Sequence, residues 1–318
     1  MALEPGADPD DSDDPAPDPG VRVAVAAAAL LGESPVWHPT EQVLYYCDIP
    51  GHTLHRFDPR DGRLDHWCFD TDVASLAPVQ GGALLLALRD GLWRFEPRSG
   101  ERSRIVEPPY DMATERFNDG KCDPQGRFWV GTVYEPRDAP KAALYCFDRG
   151  RLERRLGGLT VANGLGWSPD GRTMHWADTR AHALYAADFD GATGRIGTPR
   201  LFGEFARQAD GLRADGTRTK YGGRPDGAAV DVDGGYWVAM FEGARLLRFK
   251  PDGSLCREIA LPVACPTMPC FGGADLKTLY VTTAREGRPA AELVEQPYAG
   301  CVLAVEVEVA GLPANFAR

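Results

Sequence analysis

One pattern recurs along this chain and restricts its fold more than any other feature. A turn is followed by a short apolar or aromatic run, six times over. The copies are Trp37-His38-Pro39 before residues 43–47, Ala77-Pro78 before 84–88, and Asp123-Pro124-Gln125-Gly126 before 128–131. Then come Ser168-Pro169-Asp170-Gly171 before 174–177, Asp231-Val232-Asp233-Gly234 before 236–239, and Gly272-Gly273-Ala274-Asp275 before 279–282. Their spacing, about 40 to 60 residues, is that of a repeated supersecondary unit. A second motif alternates with the first: Phe57-Asp58-Pro59, Phe95-Glu96-Pro97, Phe147-Asp148, Phe189-Asp190 and Phe249-Lys250-Pro251, each with a glycine soon after. These read as hairpin turns. Two hairpins per repeat predict a four-stranded antiparallel unit, and six such units predict an all-β, six-bladed β-propeller over residues 21–318. Residues 21–28 have no partner in their own repeat, while the sixth repeat ends in an alternating run over 301–309. The N-terminal strand is therefore expected to close the last blade and remove its exposed edge. Separate β-sandwich domains are the alternative, but no linker interrupts the repeat.

Charge narrows the function. The net charge is −11, and residues 1–20 carry seven acids, five prolines and no Lys or Arg. Such a segment has little to bury and is expected to be a disordered tail. Without a basic stripe, nucleic acid is not an expected partner. The apolar run 23–31 is too short to span a bilayer and follows acidic rather than basic residues, so neither a membrane anchor nor a secretory signal is expected. The expected compartment is the cytoplasm. Cys47, Cys68, Cys122, Cys146, Cys256, Cys265, Cys270 and Cys301 lack zinc or redox spacing and are expected to be mostly small buried hydrophobes without disulfides.

The residue five positions before each turn is Glu33, Asp72, Asn118, Asn163, Asp226 and Thr267 in the six repeats. All six bear side-chain oxygen. Equivalent positions of a propeller lie on a circle around its axis, so the offset is expected to gather them at one point. The alignment of Asp72 and Thr267 can slip by one residue. Carboxylates and amides without thiolates suit one hard divalent cation such as Ca²⁺ or Mn²⁺. Asn and Asp beside Gly also make ordinary turns, but four members at one offset favour a site. Other signals carry less. His52 and His55 are expected at the surface. His38, His66, His175 and His182 are expected to be structural. Gly81-Gly82 and Gly222-Gly223 precede no helix and make poor phosphate loops. No Gly-x-Ser-x-Gly elbow is present, which disfavours a serine hydrolase. Trp37, Trp129, Trp167, Trp176 and Trp237 are expected between blades.

At the candidate residues the sequence resembles the gluconolactonase and senescence-marker-protein family, which includes regucalcin. The matching stretches are Gly32-Glu33-Ser34-Pro35-Val36-Trp37, Arg116-Phe117-Asn118-Asp119-Gly120-Lys121, Asn163-Gly164-Leu165-Gly166-Trp167, Pro225-Asp226-Gly227, Cys270-Phe271-Gly272-Gly273 and Leu279-Tyr280-Val281-Thr282. The resemblance runs from about residue 22 to the C-terminus; the acidic tail is outside it. It implies a six-bladed propeller that hydrolyses sugar-acid lactones, with bacterial aldonolactonases the most similar members. It implies one divalent metal (Ca, Mn, Zn, Mg or Fe(II)) on Glu33, Asn163 and Asp226. It places Asn118 near metal and substrate, and Arg116 on substrate, with a further substrate-contacting acid near Glu135. The expected chemistry is polarisation of the lactone carbonyl by the cation, with Asp226 as general base. Two other readings use the same frame: a non-catalytic calcium-binding propeller, and a hydrolase for another ester such as an organophosphate.

Overall fold

The computed structural model describes residues 16–207 and 221–318. Six antiparallel sheets form the blades of a β-propeller. Their innermost strands are Gly32–His38, Val73–Pro78, Glu115–Cys122, Ala162–Trp167, Arg224–Val230 and Pro266–Gly272. Each packs against the innermost strands of the two neighbouring blades, so the ring closes. Arg22–Val25 pairs antiparallel with Val302–Glu306 and completes the sixth blade, as expected. Most of the predicted tail lies outside the described residues. Asp18 does not: its N–H donates to the Ala260 carbonyl at 3.0 Å, so the placed chain begins before residue 21.

The repeat has a physical cause in the turns. Asp123 is fully buried; Oδ1 accepts the N–H groups of Gln125 and Arg127, and Oδ2 accepts Arg127 Nε and Trp129 Nε1. Asp231 does the same with Asp233, Gly235, Trp237 Nε1 and Arg248 Nε. One aspartate thus closes the turn and satisfies the indole of the next strand. The five tryptophans named above are buried, and they join blades. Trp129 and Trp167 meet at 6.2 Å across blades 3 and 4, while Trp37 stacks on Tyr280 at 5.8 Å across blades 1 and 6.

Among the described residues only one short helix occurs, Ala290–Glu295, and no helix is long and apolar enough to cross a membrane. All eight cysteines are free; Cys68 and Cys256 are exposed. His38, His175 and His182 are buried. The expectation of a surface position holds for His52, whose side chain is 42% exposed, and fails for His55, which is partly buried. His55 stacks on Tyr46 at 4.6 Å, and His52 Nε2 lies 3.1 Å from Asp72 Oδ1.

Candidate metal and substrate site

The site is built from strand irregularities. In blades 1, 3, 4 and 5 the innermost strand slips against its neighbour at one place: between Glu33 and Val36, Phe117 and Gly120, Asn163 and Gly166, and Pro225 and Ala228. Each slip sets two residues against one, a β-bulge, which re-aims side chains away from strict alternation. Glu33 and Asn163 immediately precede their bulges. Asn118 and Asp226 are the first residues inside theirs. The single offset inferred from the sequence therefore needs correcting by one residue for half of the set. The two kinds differ in backbone. In blades 1 and 4 the residue after the polar one is left-handed, with φ 47° at Ser34 and 66° at Gly164. Asn118 and Asp226 need no such turn. Gly164 cannot be replaced easily: a Cβ there would lie 2.5 Å from the Tyr236 hydroxyl, which donates to the Gly164 carbonyl.

The bulges bring distant residues together. Arg116 Nη1 donates to Asn118 Oδ1 at 2.9 Å, and Asn118 Nδ2 donates to Asn163 Oδ1 at 2.7 Å. Asn163 Nδ2 donates to Asp226 Oδ1 at 2.5 Å and to Thr179 Oγ1 at 2.8 Å. Glu33 is buried beside this chain, with its Oε2 accepting the Ser34 N–H at 3.0 Å. Burial, then the nearby carboxylates of Asp226 and Asp119, holds the Glu33 carboxyl well above its usual range. Burial pushes Asp226 up to about 8, with Asp119 adding to it and Arg224 opposing.

The other two ring members behave differently. Thr267 sits in a narrower slip between Pro266 and Met268. Its hydroxyl lies 2.5 Å from the Gly32 carbonyl and 2.8 Å from Thr282 Oγ1, so it braces the backbone next to Glu33 instead of facing a ligand. Asp72 belongs to the rim. It pairs with Arg89 at 2.8 Å and with His52, and stands 4.0 Å from Arg116. Glu135 takes a bidentate pair from Arg89 at 2.7 and 2.9 Å and lies 3.7 Å from Arg116. That pairing lowers the Glu135 pKa, which keeps it an ionised acceptor.

Asp119 is the site residue the sequence reading passed over. It follows Asn118 inside the same bulge and is 2 % exposed. Its Oδ2 accepts the Leu165 N–H at 3.0 Å, while Oδ1 has no protein partner among the described residues. The only signal was its place in the Asn-Asp-Gly-Lys run. Lys121 was likewise missed; its ammonium donates to the Ala228 carbonyl at 2.6 Å within the channel.

The donor set fits a divalent cation. Glu33, Asp119 and Asp226 are buried carboxylates, and among the described residues none has a Lys or Arg nitrogen within ion-pair distance. Buried negative charge without a directly paired cation is costly unless an ion neutralises it. Among the described residues no three His, Cys, Asp or Glu side chains form a ligand group. A cation here would therefore need the amide oxygen of Asn163 as well as the acids. All these donors are hard oxygens.

Fold and site together define a class: a six-bladed β-propeller with a buried acid–amide cluster on its axis, opening to an arginine-bearing rim. The SMP-30/gluconolactonase/LRE-like region matches residues 31–285, and the chain belongs to that family. It is 42% identical over 292 residues to a 6-deoxy-6-sulfogluconolactonase of Pseudomonas putida, covering 92% of this chain and 96% of that protein. It is 32% identical to regucalcin of Gallus gallus, covering 89% of this chain and 93% of that one. A crystal structure of a calcium-binding protein, regucalcin, from Agrobacterium tumefaciens superposes with a TM-score of 0.86 at 26% identity, over 93% of this chain and 97% of that chain.

Proposed function

We propose that this protein hydrolyses the ring ester of a sugar-acid lactone, with one divalent cation held by Glu33, Asn163 and Asp226. The supporting observation is the convergence of these three residues, far apart in sequence, into one buried set whose carboxylates have no Lys or Arg nitrogen within 4.0 Å among the described residues. The names of the relatives point the same way. A bound cation supplies Lewis acidity to the lactone carbonyl and charge stabilisation to the oxyanion that water attack creates. Ca, Mn, Zn, Mg and Fe(II) are all compatible with oxygen donors.

The chain's own groups supply the rest. Asp226 uses Oδ1 to accept from Asn163, which leaves Oδ2 to take the proton of the attacking water. The hydroxyl adds to the carbonyl carbon; as that carbon's bond to the ring oxygen then breaks, Asp226 returns the proton to the ring oxygen, which leaves as a neutral alcohol beside the new carboxyl group. Arg116, Asn118 and Glu135 form a linked donor–acceptor row at the mouth that suits the hydroxyls of a sugar. A phosphotriester offers no such hydroxyls, so this row favours a lactone. Eight free thiols are compatible with a reducing cytoplasm.

Asp226→Ala tests the base. Turnover of glucono-lactone is expected to fall by roughly 10²–10⁴ with the bound-metal content measured alongside. Wild-type turnover with full metal would remove Asp226 from that role. Tight cation binding with no lactone turned over by the wild type would favour a calcium-binding propeller instead, the second reading that the regucalcin relatives raise.

A further inference from the structure

The rim of the site is electrostatically lopsided. The loops joining second and third strands of each blade stand at the bulge end, because the first residues of the innermost strands pair with the last residues of the second strands. Glu115 faces Tyr134, Ala162 faces Asp178 and Arg224 faces Phe241. Over blades 1 to 3 this rim is balanced: Asp72 and Glu135 neutralise Arg89 and stand by Arg116, and Asp72 also meets His52. Over blades 3 to 5 it is not. Arg137 and Arg180 have no carboxylate within 4.0 Å among the described residues, and Arg224 shares Glu242 with Arg288 at 2.8 and 2.9 Å.

These guanidiniums are neighbours. Burial lowers the Arg137 pKa, and the nearby charges of Arg180 and Arg224 lower it further, while the more weakly acting Glu135 and Asp226 oppose them. Arg224 and Asp226 lie two residues apart on one strand, roughly 7 Å. Arg137 keeps φ 57°, a left-handed backbone that non-glycine residues rarely adopt, and its N–H is tied to the Tyr134 carbonyl at 3.0 Å. In a chain of net charge −11, a rim sector in which Arg137, Arg180 and Arg224 share Glu242 as their one directly paired carboxylate among the described residues is a local specialisation. Like charges held together with too few counter-ions repel, and a bound anion relieves the repulsion.

We propose that Arg137, Arg180 and Arg224 form an anion subsite beside the lactone site, so that the substrate is a sugar lactone with a sulfonate or phosphate at the end remote from its carbonyl. This rests on the lactonase reading above. Planar guanidinium forks match the oxygens of such groups by paired hydrogen bonds. The balanced sector, with Arg116 and Glu135, takes the neutral hydroxyls; the cationic sector takes the charged end. Loss of the arginines weakens capture of the charged lactone far more than it affects the chemical step.

The test compares kcat/KM of the metal-loaded protein for glucono-lactone and for its C6-sulfonated and C6-phosphorylated counterparts. At low salt the wild type is expected to favour at least one anionic lactone tenfold or more, and the two anionic arms tell sulfonate from phosphate. Arg137→Gln with Arg180→Gln is expected to cut that preference at least tenfold through KM, and Arg180→Lys to restore part of it. Added salt should erode the preference of the wild type but not of the double variant. Equal rates for charged and neutral lactones, or a preference unchanged in the double variant, overturns the subsite. If no lactone is turned over, the lactonase reading fails; calorimetric binding of 6-deoxy-6-sulfogluconate against gluconate then still decides the subsite.

Discussion

Asp119 shows how a single side chain can shape a site without being an obvious ligand. It lies under Glu33 and Asp226 and adds negative charge to both. Asp119→Asn is expected to weaken cation affinity by roughly 10- to 100-fold, the usual effect of losing an outer partner of a metal site. Calorimetric titration with Ca²⁺ and Mn²⁺ measures this, and unchanged affinity would assign Asp119 to the channel alone. His55 and His175 make a different residue-scale prediction. Each has a buried Nδ1 without a partner, and burial lowers both pKa values to about 4. The unfolded chain binds those protons near pH 6.5, the folded chain only near 4. The stability they contribute above pH 6.5 is therefore lost as pH falls toward 4, by up to about 3 kcal/mol per histidine. His175 is packed against Phe202 and Tyr236, so His175→Phe should fit and flatten the loss of Tm between pH 7 and 4.5. An unaltered pH profile would contradict this.

The bulged strand is the element on which recognition succeeds or fails. Turn motifs in the sequence locate the strand ends, because buried aspartates such as Asp123 and Asp231 have a distinctive pattern around them. They do not locate a bulge, which depends on how two strands pair. Glu33, Asn118, Asn163 and Asp226 were therefore legible as a set, while their true equivalence was off by a residue. Thr267 looked like a ligand because it holds oxygen at the right count; its neighbour's backbone claims that oxygen instead. Asp72 and Glu135 could not be tied to Arg89 from sequence, since the three come from different blades or loops. Two substitutions test the element. Gly164→Ala places a Cβ against the Tyr236 hydroxyl in a left-handed position, and is expected to cost 1 kcal/mol or more, roughly, while disturbing the Asn163–Asp226 contact. Thr267→Val strips the Gly32 carbonyl of its hydroxyl partner and is expected to cost about 1–3 kcal/mol. Urea unfolding measures both, and a neutral result for either would mean that the local backbone relaxes freely.

At the scale of the whole molecule, the ring is what makes the site possible. Closure by Arg22–Val25 against Val302–Glu306 fixes blade 6 beside blade 1, where Thr267 supports Gly32. This closure was legible because an unpaired strand at one end of the repeat array matched a vacant edge at the other. The arginine distribution around the rim was not, because residues 137, 180 and 224 have no common motif and become neighbours only when three blades stand side by side. The central claim is that the ring gathers Glu33, Asn163 and Asp226 around one cation on which lactone hydrolysis depends. Glucono-lactone turnover of chelator-stripped protein, repeated after each candidate ion is restored singly, tests it. Near-zero activity is expected in the stripped protein, with recovery saturating at one ion per chain. Full activity in demonstrably metal-free protein would contradict it.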